Sequence, residues 1–187
     1  AVKAAPAAAA TQSAVTGPVP LTPIQQWFFG QQMPAPQHWH QARLFELSRA
    51  LNTKALDTET NKEDEHKEKV ERAIAALWQH HDALRMRFSP PSQSPARLEK
   101  SAHWQAFTPA IEDSPKPLYI DLSDLEPLQQ QQAVAKYSSE LHAQTDLAAG
   151  PLLQAAHFYL GDRDRSWLLI SLHHLVVLIG GNCFSTD

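Results

Sequence analysis

With 187 residues, 43% of them hydrophobic, the chain can bury one medium-sized core or form one lobe of a larger domain. Its 16 lysines and arginines against 20 aspartates and glutamates give a formal net charge of -4, so it offers no basic field to a nucleic-acid backbone or an anionic membrane surface. No stretch reaches the roughly 18 consecutive apolar residues of a membrane span, since Ser171, His173 and His174 interrupt Trp167 to Ile179, and the single cysteine, Cys183, excludes an internal disulfide and suits a reducing cytosol.

Residues 1–20 open on alanine and proline, bury little area and read as an inter-domain linker, which points to a longer, multi-domain polypeptide. Thr22-Pro23-Ile24-Gln25 then supplies a hydroxyl N-cap, a proline at the first helical position and a glutamine able to reach back to the cap. A helix is predicted there, burying Ile24, Trp27 and Phe28 and ending before Pro34 and Pro36. Gln41 to Leu47 reads as an extended segment. From Lys62 to Lys69 nearly every residue is charged, after which Val70, Ile74, Leu77, Trp78 and His81 recur at helical spacing. The charged run is the solvated face of that helix, where Glu65 with Lys69 and Glu68 with Arg72 each add about 0.2–0.5 kcal/mol.

Leu84-Arg85-Met86-Arg87-Phe88 alternates strictly and predicts a strand, with the two arginines on the face opposite Leu84, Met86 and Phe88. Pro90, Pro91 and Pro95 mark a loop. Leu118 to Asp121 predicts a short strand, followed by a helix from near Asp124 that buries Val134, Tyr137 and Leu141 and turns Gln129 to Gln132 outward. After the turn at Gly150-Pro151, Leu152 to Leu160 and Trp167 to Leu172 form two apolar runs joined by Gly161 to Asp164, hence neighbouring antiparallel strands. The second is apolar at nearly every position and reads as a central strand buried on both faces. This order of elements defines an α+β or layered α/β lobe.

The central strand delivers His173-His174 at its carboxyl end. If the backbone stays extended, the two rings point to opposite sides, one into the core and one toward a cleft. A neutral imidazole held by its far nitrogen makes a positioned base near neutral pH. Taken alone, however, a His-His on an apolar strand is more often structural than catalytic.

Four segments in order add context. Leu21-Thr22-Pro23-Ile24-Gln25-Gln26-Trp27-Phe28-Phe29 resembles the opening motif of epimerization domains of nonribosomal peptide synthetases. Gln79 to Phe88 is similar to the second motif of the condensation and epimerization domain family, Thr145-Asp146-Leu147-Ala148-Ala149-Gly150-Pro151-Leu152-Leu153 to the segment before its active-site strand, and Leu169 to Val177 to the start of its His-His-x-x-x-Asp-Gly motif.

The resemblance implies that residues 21–177 form the first of the two lobes of a chloramphenicol-acetyltransferase-like fold, whose active site lies between the lobes. It implies that His174, the second histidine of the motif with His173 beside it, acts in peptide-bond formation or in moving the α-proton of an aminoacyl or peptidyl thioester. The substrate would arrive on the phosphopantetheine arm of a peptidyl carrier domain, so that no cofactor, metal or nucleotide is bound directly. The family's motif aspartate pairs with an arginine, for which Arg85 is the counterpart, but Leu178 and Ile179 stand where that aspartate and its glycine belong. Residues 178–187 make an atypical tail. With Leu178 in the motif and the second lobe absent, the chain alone is expected neither to epimerize nor to condense, and the alternative reading is a non-catalytic truncated lobe that only contacts a carrier domain.

Other chemistries have weaker footing. His38-Trp39-His40 and His80-His81 suggest a metal, but one cysteine and no recognisable ligand spacing argue against zinc. The five tryptophans read as core or rim aromatics rather than a stacking platform for nucleic acid. Cys183 has no base at a spacing that would make it a nucleophile.

Overall fold

The computed structural model describes residues 14–47, 62–91, 103–111, 114–161 and 166–177. The start of the expected linker, residues 162–164 of the predicted connection between the two apolar runs, Pro95, and Leu178, Ile179 and Cys183 of the tail lie outside them.

Seven strands and four helices follow one another as β1 (Gly17–Val19), α1 (Pro23–Gly30), β2 (His40–Leu47), α2 (Lys62–His80), β3 (Arg87–Ser89), β4 (Gln105–Thr108), β5 (Leu118–Asp121), α3 (Pro127–Ala143), β6 (Leu153–Tyr159), β7 (Ser166–His173) and α4 (His174–Val177). A small sheet has the order β1-β4-β3, and the main sheet the order β2-β7-β6-β5. In the main sheet β7 runs antiparallel to both neighbours, while β5 and β6 are parallel.

The central position of β7 follows from its composition: Leu168, Ile170 and Leu172 join a core with Phe28, Val70, Ile74 and Trp78, whereas Leu169 joins a second core with Phe158 and Val134. A strand between two cores needs apolar side chains on both pleat faces. Burying residues such as Phe158 and Ile74 stabilises the fold by about 1.5–3 kcal/mol each. By alternation His173 falls on the same face as Leu169, the face covered by α3.

Several local expectations need correction. In α1 the capping box forms as predicted, yet Ile24 is 39% and Trp27 59% exposed while Gln25 and Phe28 are buried. A glutamine that satisfies its amide inside the protein can take a core position. The buried stripe of α2 is Val70, Ile74 and Trp78; Leu77 is exposed and His81 lies beyond the helix. The strand predicted from Leu84 starts only at Arg87, because Asp82–Arg85 turn in a short 3-10 helix that buries Leu84 and Arg85 together. Alternation in sequence cannot distinguish that turn from a pleat. The second long helix starts at Pro127, three residues after Asp124, and its Gln130 is buried, donating to the carbonyls of Leu122 and Leu160.

Gly150 has a φ of +66°, and a Cβ there would run into the Arg87 guanidinium. Gly150→Ala is therefore expected to cost about 1–2 kcal/mol through left-handed strain and displacement of Arg87, read as a lower urea midpoint with an unchanged m-value.

Candidate active site

His173 ends β7 and His174 opens α4, so the chain changes from strand to helix between them. The expected extended dipeptide does not form. The His174 amide donates to the Trp39 carbonyl at 2.8 Å, and the His173 amide to that of Leu152 at 2.9 Å.

Both ring nitrogens of His173 are committed. The Leu175 amide donates to Nδ1 at 3.2 Å, and Nε2 lies 2.8 Å from the Pro36 carbonyl. An Nδ1 that accepts and an Nε2 that donates define one neutral tautomer, with no lone pair left for a substrate proton. His173 is fully buried, and burial, with the neighbouring His174 ring, lowers its pKa against the raising effect of the Pro36 bond. The half-buried His174 ring, by contrast, makes no hydrogen bond among the described residues.

One turn of α1 faces both parts of this junction. The capping box holds Gln25 in place, its Oε1 accepting from the Thr22 amide at 3.0 Å while Nε2 donates to the Leu175 carbonyl at 3.1 Å. Three residues on, Phe28 presents its ring edge-on to His173 at 6.0 Å and to Trp39 at the same distance. The i, i+3 spacing puts Gln25 and Phe28 on one helix face.

On the α3 side, His40 meets the His173 ring at 5.6 Å and stacks on His142 at 4.6 Å, with Nε2 3.3 Å from the Thr145 hydroxyl. Burial first, then the rings of His142 and His173, push His40 down to about 4; burial and His38 lower His142. Away from this cluster, burial and His66 push His157 on β6 down to about 4 as well.

Between the folded values and the ordinary 6.5, the unfolded chain binds protons that the folded chain refuses. Stability contributed by these neutral rings is fully present above pH 6.5 and is lost as pH falls toward about 4. Urea midpoints are expected to be flat from pH 8 to 7 and to fall through that window, and His157→Phe should remove part of the slope. A slope unchanged in that variant would refute the assignment.

Arg85 is fully buried and meets its carboxylate three residues upstream: Nη2 donates to Asp82 Oδ1, and Nη1 to the Trp78 carbonyl at 3.1 Å. The counter-ion in the structure is therefore Asp82. The turn that holds this pair packs against α4, so the structure brings Arg85 to the neighbourhood of the His-His junction.

His173 and His174 adjoin at the end of β7 and the turn carrying Arg85 packs against α4, while Gln25, Phe28, Pro36, His40, His142 and Asp82 were not singled out for the site. Gln25 and Asp82 stand inside recognised segments, but nothing local signals their second contacts, 150 residues away for Gln25. Of His38-Trp39-His40, His40 stacks on His142 and Trp39 meets Phe28 edge-on, and His80 and His81 meet edge-on at 4.6 Å. Among the described residues no group of three or more His, Cys, Asp or Glu side chains is arranged to hold a metal ion, and no helix is long and apolar enough to cross a membrane.

A layered α/β lobe with a central strand ending in a histidine pair belongs to the chloramphenicol-acetyltransferase-like class, the fold of the condensation-type domains it resembles in three dimensions. The family model described as Condensation domain matches residues 15–179, and the chain belongs to that family. A linear gramicidin synthase protein of Brevibacillus parabrevis is 37% identical over 168 residues, covering 89% of this chain and 2% of the relative. Surfactin synthase subunit 2 of Bacillus subtilis (strain 168) is 34% identical over 170 residues, 90% of this chain and 4% of that protein. The chain therefore spans only a small share of the length of these relatives. Among solved structures, the epimerization domain from the third module of tyrocidine synthetase B aligns with a TM-score of 0.65 and 25% identity over 88% of this chain and 32% of that one. A variant of the starter condensation domain of rhizomide synthetase aligns with a TM-score of 0.57 and 15% identity over 84% and 31%.

Proposed function

We propose that the chain is the N-terminal lobe of an epimerization domain, in which His174 moves the α-proton of an aminoacyl or peptidyl thioester presented by a carrier domain. The observation that carries this reading is the unequal hydrogen bonding of the pair: both nitrogens of His173 are taken, and the ring of His174 makes no hydrogen bond among the described residues. A thioester carbonyl acidifies the α-carbon enough for a positioned imidazole to remove its proton, and returning the proton to the other face inverts the centre. The likeness to the tyrocidine epimerization domain and the Pro23-Ile24-Gln25 with Trp27-Phe28 pattern favour epimerization over condensation. The phosphopantetheine arm would belong to the carrier, and adjoining synthetase domains would be the other partners.

The reacting lobe needs its second lobe, Leu178 and Ile179 occupy the motif's Asp and Gly positions, and the substrate must be carrier-bound. The chain is joined to the second lobe of the tyrocidine epimerization domain, with Leu178→Asp and Ile179→Gly, and supplied with an aminoacyl carrier in D2O. Deuterium at the α-carbon supports epimerization; with a second aminoacyl carrier present, a dipeptide without deuterium supports condensation, the reading that the Condensation domain match also allows. The 187-residue chain alone is expected to give neither product. Turnover by the lone chain that disappears in His174→Ala would overturn that expectation.

A further inference from the structure

We infer that Gln25 is a positioning residue for His174, its side-chain amide fixing the first turn of α4 from across the chain. This rests on the reading of His174 as the reactive ring, but its test needs no turnover. The Leu175 carbonyl lies in the first turn of α4, directly after His174. Gln25 is fully buried and supplies that carbonyl with a donor, while its own oxygen is used by the Thr22 amide. The amide of Leu175 is meanwhile tied to His173 Nδ1, and the amide of His174 to Trp39. Both polar groups of Leu175, the residue next to His174, are thereby anchored, one to the neighbouring ring and one to α1.

Three contacts converge on this junction from α1: Gln25 on Leu175, Phe28 on His173, and Phe28 on Trp39, whose carbonyl receives His174. A shift of α1 would move all of them together. Phe28 and Trp39 restrain by packing alone, which tolerates sliding; the Gln25 bond is directional and sets the rotation of the turn about its axis. That rotation decides where the His174 ring points.

The test compares Gln25→Met, which keeps length and apolar volume but loses donor and acceptor, with Gln25→Glu, which keeps the acceptor for Thr22 and loses the donor. The readout is the rate of acylation of His174 by diethyl pyrocarbonate in the folded chain at pH 7, relative to exposed His80 on α2. In both variants the ratio should change by about five- to tenfold, the population shift expected from the loss of one hydrogen bond. Thr22→Ala weakens the cap and lowers the unfolding temperature but leaves the Gln25 donor in place; it should leave the ratio within twofold. A ratio unchanged in Gln25→Glu, or shifted equally in Thr22→Ala, would make Gln25 merely structural and overturn the inference. If both Gln25 variants fail to fold, nuclear Overhauser contacts in the parent chain decide: the Gln25 amide protons must approach Leu175, and their absence overturns the assignment.

Discussion

In the completed two-lobed domain, His174→Ala is expected to slow α-deuterium incorporation by about 10²- to 10⁴-fold, the range over which a positioned general base contributes. The substitution removes a half-buried ring with no hydrogen bond among the described residues, so the fold should lose little with it. His173→Ala should behave in the opposite way. It removes a fully buried ring that satisfies the Leu175 amide and the Pro36 carbonyl, and leaves a cavity beside Phe28 and His40. Its loss of activity should follow loss of folded protein, recovering in the fraction that remains folded more than His174→Ala does. Equal residual rates per folded molecule for the two variants would erase the division of labour.

The second large effect concerns the buried guanidinium. Asp82→Ala should destabilise the chain by about 2–4 kcal/mol, below the full loss for a wholly buried pair because the aspartate side chain is 34% exposed. For a chain of this size that corresponds to an unfolding temperature lower by roughly 5–15 °C. Arg85→Met should cost less, since the freed aspartate can rehydrate and the thioether can fill the stem's volume; it still leaves the Trp78 carbonyl without its donor. The Asp82→Ala, Arg85→Met double variant should then be more stable than Asp82→Ala alone. The asymmetry arises because a buried cation without its anion is the costly species. An Asp82→Ala change under about 0.5 kcal/mol would mean that Arg85 finds another counter-charge.

The same pair illustrates what could be read in the sequence. The segment from Gln79 to Phe88 was recognisable, and its arginine proved buried, but alternation predicted a strand where a short turn brings Asp82 back to Arg85. Period-two patterning reports which residues are apolar, not whether the backbone is pleated. Where runs were long the reading succeeded: β6 and β7 are antiparallel neighbours, β7 is central, and α2 carries its buried stripe on Val70, Ile74 and Trp78. Capping chemistry placed the start of α1 to the residue.

The sequence did not show which face α1 buries. Gln25 and Phe28 are selected by partners at Leu175 and His173, contacts that exist only once the chain has folded. The histidine cluster has the same origin, since β2 pairs His40 with His173 and the last turn of α3 brings His142 onto it. Isolated histidines along a sequence carry no signal of such stacking. The pair itself was legible, but its unequal hydrogen bonding depends on the Pro36 carbonyl and on the helical turn that begins at His174.

A long-range proton–nitrogen correlation spectrum of the imidazole rings tests that inequality most directly. His173 should appear as the neutral tautomer protonated at Nε2 and should gain charge only at a lower pH than an ordinary imidazole, because burial lowers its pKa. A His173 protonated at Nδ1, or one that gains charge at its ordinary value, would contradict the structural role assigned to it and, with it, the choice of His174 as the reactive ring.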